Sequence, residues 1–178
     1  MISRCVVLVV LLLGPVLPLA SQATAGAARP VVAVLNLRFE GRYANVLEPG
    51  DTAIVQSATS KLFATLRASD RITLVDSARV ADAVAAEAGW NLCGNACALV
   101  VARQLGAQWI VKGTVTKTSN IVWVLAADLL DVATGRPVLT DGYELKGDAR
   151  AMAPAGARVL AQRIERTVAE HTPPVGAP

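Results

Sequence analysis

The sequence predicts a single α/β (α+β) domain: a mixed five-stranded sheet with the element order β-α-β-α-α-β-β-β-α. Three observations carry this reading. Short β-branched apolar runs alternate with stretches of helical spacing through the first half of the chain. Three strand-like runs then follow one another across short polar turns, and an amphipathic helix closes the chain. Helical crossovers between the first strands demand parallel pairing, whereas short turns between the last three demand an antiparallel meander. The helices are expected mostly on one face, between a three-layer and a two-layer arrangement.

The first strand is "PVVAVLNLRF", Pro30 to Phe39, a β-branched run after a proline. "EGRYANVLEPG" reads as a loop, after which Asp51 offers a helix cap. Ile54, Val55, Ala58, Leu62, Phe63 and Leu66 then recur at helical spacing, and this helix should end near Ala68. "RITLVD", Arg71 to Asp76, is the second strand. Ser77 can cap a second helix with Val80, Ala81, Val84 and Ala85 as its buried stripe.

A loop with "GWNLCGN" leads into a short third helix, with Asn95 as its expected cap and Gly106 as its terminating glycine. "AQWIVKGTVTKT" is the third strand. Trp109, Val111, Gly113 and Val115 share one face; Ile110, Lys112, Thr114 and Thr116 share the other, which is therefore partly wet. Ser119 and Asn120 form a turn into "IVWVLAADLLD". That fourth strand is apolar on both faces until Asp128 and is expected to be central. Gly135 supplies a positive φ in the next turn, "RPVLTDGYEL" is the fifth strand, and a last helix runs from about Pro154 to Glu170.

The amino end bears on cysteine chemistry. One arginine, an apolar run from Cys5 to Ala20 and then "SQATAGAA" form the three-part pattern of a secretory signal over residues 1–25. The run is short and broken by Gly14, Pro15 and Pro18, unlike a membrane span. Cleavage before Gly26 would remove Cys5 and leave two cysteines in an oxidising compartment. It would also take Arg4 from the 17 basic residues, leaving 16 against 14 acidic ones. So small an excess argues against nucleic acid, and no stable membrane insertion is expected after cleavage. The single domain is expected over residues 30–171, with "TPPVGAP", 172–178, as a loose tail.

Cys93 and Cys97 are the most chemical-looking pair. C-x-x-x-C followed by Ala98 does not fit haem attachment, and a structural zinc wants four ligands where the chain has one histidine and no second cysteine pair. A disulfide suits the compartment, because Gly94 and Asn95 let Cys93 lie in the loop before the helix. Closing so small a loop stabilises by about 2 kcal/mol on the chain-entropy model. The alternative is a weak thiol oxidoreductase, since Cys97 would sit in the first turn of a helix, where a thiol pKa falls.

With His171 as the lone histidine, no Ser-His-Asp or Cys-His arrangement can be assembled. Asp128, Asp131 and Asp141 read as strand-end and turn carboxylates, and Arg158, Arg163 and Arg166 as a solvated face. No catalytic residue, metal or cofactor is implied. Trp109 reads as core. Trp90 and Tyr43, in loops, and the neighbouring Arg42 are the candidate partner-binding residues; the alternative for the two aromatics is burial against the end of the sheet.

A resemblance covers Val31 to Leu145. "ARQLGAQWIVKGTV", a hairpin and the strand end "DVATGR" resemble a pattern of bacterial envelope domains, similar to the amino-terminal domain of TolB and to the curli secretion-channel protein. "VVAVLNLRFEG" and "RITLVD" are similar to their first two strands. A cysteine before the "LGA" helix and the segment Gly113 to Asn120 resemble a proteobacterial family of secreted proteins of unknown function. The resemblance implies the fold above and no catalytic residue. The TolB pattern also includes a carboxy-terminal propeller that these 178 residues do not resemble, so a Tol-type role is not expected from the resemblance. The expected function is a non-enzymatic periplasmic module that binds another envelope protein or assists assembly; the alternative class is a small-molecule or glycan-binding accessory to a periplasmic enzyme.

Overall fold

The computed structural model describes residues 28–40, 48–88, 92–119 and 121–172. The expected signal segment, most of the expected tail and Asn120 of the expected turn lie outside them. Ten elements follow in order: β1 (Val31–Val34), β2 (Arg38–Glu40), α1 (Asp51–Arg67), β3 (Thr73–Leu74), α2 (Ser77–Ala88), α3 (Asn95–Gln104), β4 (Trp109–Lys117), β5 (Val122–Asp131), β6 (Pro137–Lys146) and α4 (Ala149–His171). The sheet runs β3-β1-β4-β5-β6, with β2 also on β4. β1 is parallel to β3 and β4, and β4, β5 and β6 form the antiparallel meander. The predicted mixed α/β class is the observed one.

The expected first strand is divided in two, making six strands. Val34 pairs with Val111 but Arg38 with Thr114, so four steps on one chain match three on the other. The extra residue interrupts the ladder as a bulge does. Leu37, within the break, packs over Gly113, where an added Cβ would lie 2.5 Å from Leu37 Cδ2 and 2.8 Å from the Ala126 carbonyl oxygen. Glycine at 113 thus gives Leu37 its place and sets where β2 begins.

Helices cover both faces of the sheet rather than mostly one. Val32, Val34, Val111, Val115, Leu125 and Leu129 point into a core closed by α1 and α4. Ala33, Leu35, Ile110 and Leu130 point the other way, into a smaller core closed by α2 and α3. β5 is paired on both sides, but β4 occupies the middle of the sheet. Apolar character on two faces reports cover above and below the sheet and does not fix a strand's place in the strand order.

The helix starts shift by a residue or more. Gly50, with φ 100°, precedes α1, and Asp51 is its first residue. Asp76, rather than Ser77, caps α2 by accepting from the amides of Ala78 and Arg79 at 2.9 and 3.3 Å. Gly94 precedes α3, and the side chain of Asn95 makes no cap. α4 begins at Ala149, capped by Asp148, so Pro154 lies inside it. Gly106 and Gly135 take positive φ, as their turns require. Among the described residues, no helix is long and apolar enough to cross a membrane.

Candidate functional site

The smaller core closes only part of its face. Beyond Ile110, Lys112, Thr114 and Thr116 of β4 are half-exposed, as are Val124, Ala126 and Asp128 of β5 beside them. A groove of about 490 Å³ lies between this open sheet surface and α2. Its wall is the stripe expected to be buried: Val80 is buried, Val84 is half-buried, and Ala81 and Ala85 are exposed. The stripe is apolar because it faces a cleft, and nothing among the described residues fills it. Leu92, 75% exposed, stands at the rim.

Charges of both signs line the floor. Lys112 Nζ is 3.6 Å from Asp128 Oδ2, and Asp128 Oδ1 accepts from the Thr140 hydroxyl at 2.8 Å. Arg38 Nη2 is 3.8 Å from Glu40 Oε1, whereas its Nη1 is buried and has no hydrogen-bond partner among the described residues. An unpaired buried donor costs free energy until an acceptor arrives. With Asp128 engaged twice, the groove suits recognition of a charged group better than proton transfer.

Two further polar centres lie on the opposite face. Lys117, buried at the end of β4, donates to Glu48 and, at 3.3 Å, to Asp51 Oδ2; its Nζ also lies 5.5 Å from the Trp123 ring centroid. The Glu48 hydrogen bond chiefly raises the Lys117 pKa; burial opposes this and Asp51 adds to it. Asp141 Oδ2 accepts from the Tyr143 hydroxyl at 2.9 Å and lies 3.1 Å from Arg163 Nε. Burial, then the bond to Asp141, raises the Tyr143 phenol above its ordinary value. Arg163 is thus tied to the sheet and does not belong to a purely solvated face.

Cys93 and Cys97 are bridged, with Sγ atoms 2.02 Å apart. Cys93 lies in the loop before α3 and borders the groove. Trp90, Tyr43 and Arg42 lie outside the described residues, so the expected partner contacts have no described geometry. Asp128 and Asp141 are adjacent on the sheet but point to opposite faces, while Asp131 holds its turn through the Ala133 amide and the Thr134 hydroxyl, each at 2.9 Å. His171 ends α4, with Nδ1 2.9 Å from the Thr167 carbonyl oxygen, and its ring meets Trp109 edge-on. The sequence reading singles out neither Arg38 nor Lys117. The period-two pattern of β4 places Lys117 on the buried face with Val115, a signal that it needs a partner.

Comparison with solved structures shows a shared fold with the hypothetical protein CT253 from Chlamydia trachomatis, at a TM-score of 0.53 and 16% identity over 80% of this chain and 100% of that one. The LpoB C-terminal domain from Escherichia coli superposes with a TM-score of 0.48 and 23% identity over 71% of this chain and 87% of that one. TolB from Acinetobacter baumannii superposes with a TM-score of 0.49 and 15% identity, over 82% of this chain and 30% of that one. No curated protein sequence matches at a significant level. Residues 30–164 match the profile of DUF3280, described as a protein of unknown function (DUF2380), and the chain belongs to that family.

Proposed function

We propose that the protein is a non-enzymatic accessory of the bacterial envelope that docks another envelope protein on the open half of its sheet. The observation that carries this reading is the incompletely covered apolar stripe of α2, with Val84 half-buried and Ala81 and Ala85 exposed, above a floor of half-exposed strand residues. Apolar surface gathered beside polar groups in this way marks an interaction site. The signal-like amino end and the bridged cysteines support an oxidising compartment, where such a partner would be met. Trp90 next to the bridged loop, and Tyr43 with Arg42, are proposed to extend the same surface.

Site-specific photo-crosslinking in the native envelope tests this. A probe at Ala85, on the groove, is expected to trap a discrete protein adduct, while one at Lys61, on the solvent side of α1, traps none. Equal labelling from both positions, or none from either, would overturn the reading. The volume of the groove also matches small-molecule sites, which favours the second reading, a small-molecule or glycan-binding accessory. A large saturable thermal shift with one envelope metabolite, blocked by Val84→Asp, would select it over protein docking.

A further inference from the structure

β2 lies between two clefts. Among the described residues it pairs only with β4, leaving the backbone groups of its other edge without a sheet partner. A free strand edge is a template for another strand. Arg38 and Glu40 line the groove beside α2. Phe39 lines a second cleft, of about 400 Å³, on the α1 side with Val55 and Thr59. Asn36 borders both.

Side chains on a strand alternate between faces. A strand laid along β2 would therefore send residues i and i+2 into the groove and residue i+1 into the α1 cleft. Added strands draw affinity from main-chain hydrogen bonds and specificity from such alternate pockets. Arg38 lines the groove with its side chain 32% exposed; among the described residues its buried Nη1 lacks an acceptor, and Nη2 has Glu40 only at 3.8 Å and half in solvent. A planar guanidinium matches a carboxylate through two parallel hydrogen bonds. Val80 and Val84 supply an apolar wall in the same groove.

We infer that β2 accepts an extended segment of the partner polypeptide, with an acidic residue facing Arg38, an apolar residue two positions away facing Val80 and Val84, and a small or apolar residue between them facing Phe39. This rests on the docking reading of the same groove and specifies what is docked.

The test is selection from a random peptide display library on the purified protein. Enrichment of an acidic residue spaced two positions from an apolar one is expected. For the best peptide, Arg38→Gln should weaken binding about tenfold or more, as loss of a buried charge pair does. Replacing the peptide's acid by its amide should cost as much, with little further loss in the Arg38→Gln protein. N-methylation of the central peptide bonds should abolish binding, and deuterium uptake over residues 36–40 should fall in the complex. Circular dichroism of Arg38→Gln checks that the variant folds. No enriched pattern, or binding indifferent to both Arg38→Gln and N-methylation, overturns the inference. If Ala85 still crosslinks a partner in that case, the docking reading stands alone; if both fail, both fall.

Discussion

Lys117 at the end of β4 reaches Asp51 at the start of α1, Nζ to Oδ2 3.3 Å apart, with both side chains buried. The pair ties the middle strand to the helix packed across it. Removing one member strands the other charge in the interior. Lys117→Met and Asp51→Leu are each expected to lower the melting temperature. The double variant should lose less than the two single losses together, because the one charge it leaves unpaired, Glu48, is exposed and no buried charge is stranded. Additive losses in thermal denaturation would show that the two residues act independently.

Alkaline pH should weaken the fold through two groups with the same sign. Tyr143 and Lys117 both have folded pKa values raised above their ordinary 10.0 and 10.5. Each contributes stability that is full below its unfolded value and is lost as pH rises through the folded one. Denaturant melts should hold level up to about pH 10 and fall above it. Of the chain's two tyrosines, Tyr143 should ionise above the ordinary range, and its part of the 295 nm absorbance change should vanish in Tyr143→Phe. Ionisation of Tyr143 below pH 10 would contradict the arrangement around Asp141.

Gly113→Ala tests the origin of the break between β1 and β2. The new Cβ would meet Leu37 Cδ2 at 2.5 Å and the Ala126 carbonyl oxygen at 2.8 Å. A cost of about 1–3 kcal/mol is expected, as for overpacking elsewhere. Adding Leu37→Ala should relieve only part of the clash, because the Ala126 contact is with backbone. Full recovery in urea melts would place the strain on Leu37 alone.

Cys93→Ser with Cys97→Ser should lower stability by about 2 kcal/mol, the loop-closure value for so short a ring. Crosslinking from Ala85 should persist if the bridge only holds the loop beside α3. Loss of crosslinking with an unchanged melting temperature would give the sulfurs a direct part in recognition.

Much of the fold is legible locally. The alternation of β4 predicts its wet and dry faces from Lys112 onward, although Ile110 on the expected wet face is buried under α3, and the short turns predict the meander. What is not legible depends on distant chain. The stripe of Val80, Ala81, Val84 and Ala85 announces an apolar surface but not whether anything covers it. The break at Leu37 depends on a glycine 76 positions away, which the strand's own composition does not reveal. Lys117 falls on a dry face, so its burial is readable, but its partner lies at the head of a helix 66 residues earlier. Arg38 appears as one more strand cation until the groove around it is seen. The caps fail for a smaller reason: Asp51, Ser77 and Asn95 each have a neighbour, Gly50, Asp76 or Gly94, that takes the flanking position instead.

The pairing of β1 with β4 also sets an order of events. Val32 meets Trp109 across 77 residues, whereas β4, β5 and β6 are joined by tight turns. Closing the long loop costs more chain entropy than closing the short ones. In pulse-labelled refolding, amides of β5 and β6 should gain protection before those of β1; the reverse order would refute this. A chain made from its amino end therefore carries Ala33 and Val34 without a strand partner until β4 exists, since β3 offers only Thr73 and Leu74 to Val31 and Val32, and in that interval the segment is open to misassociation.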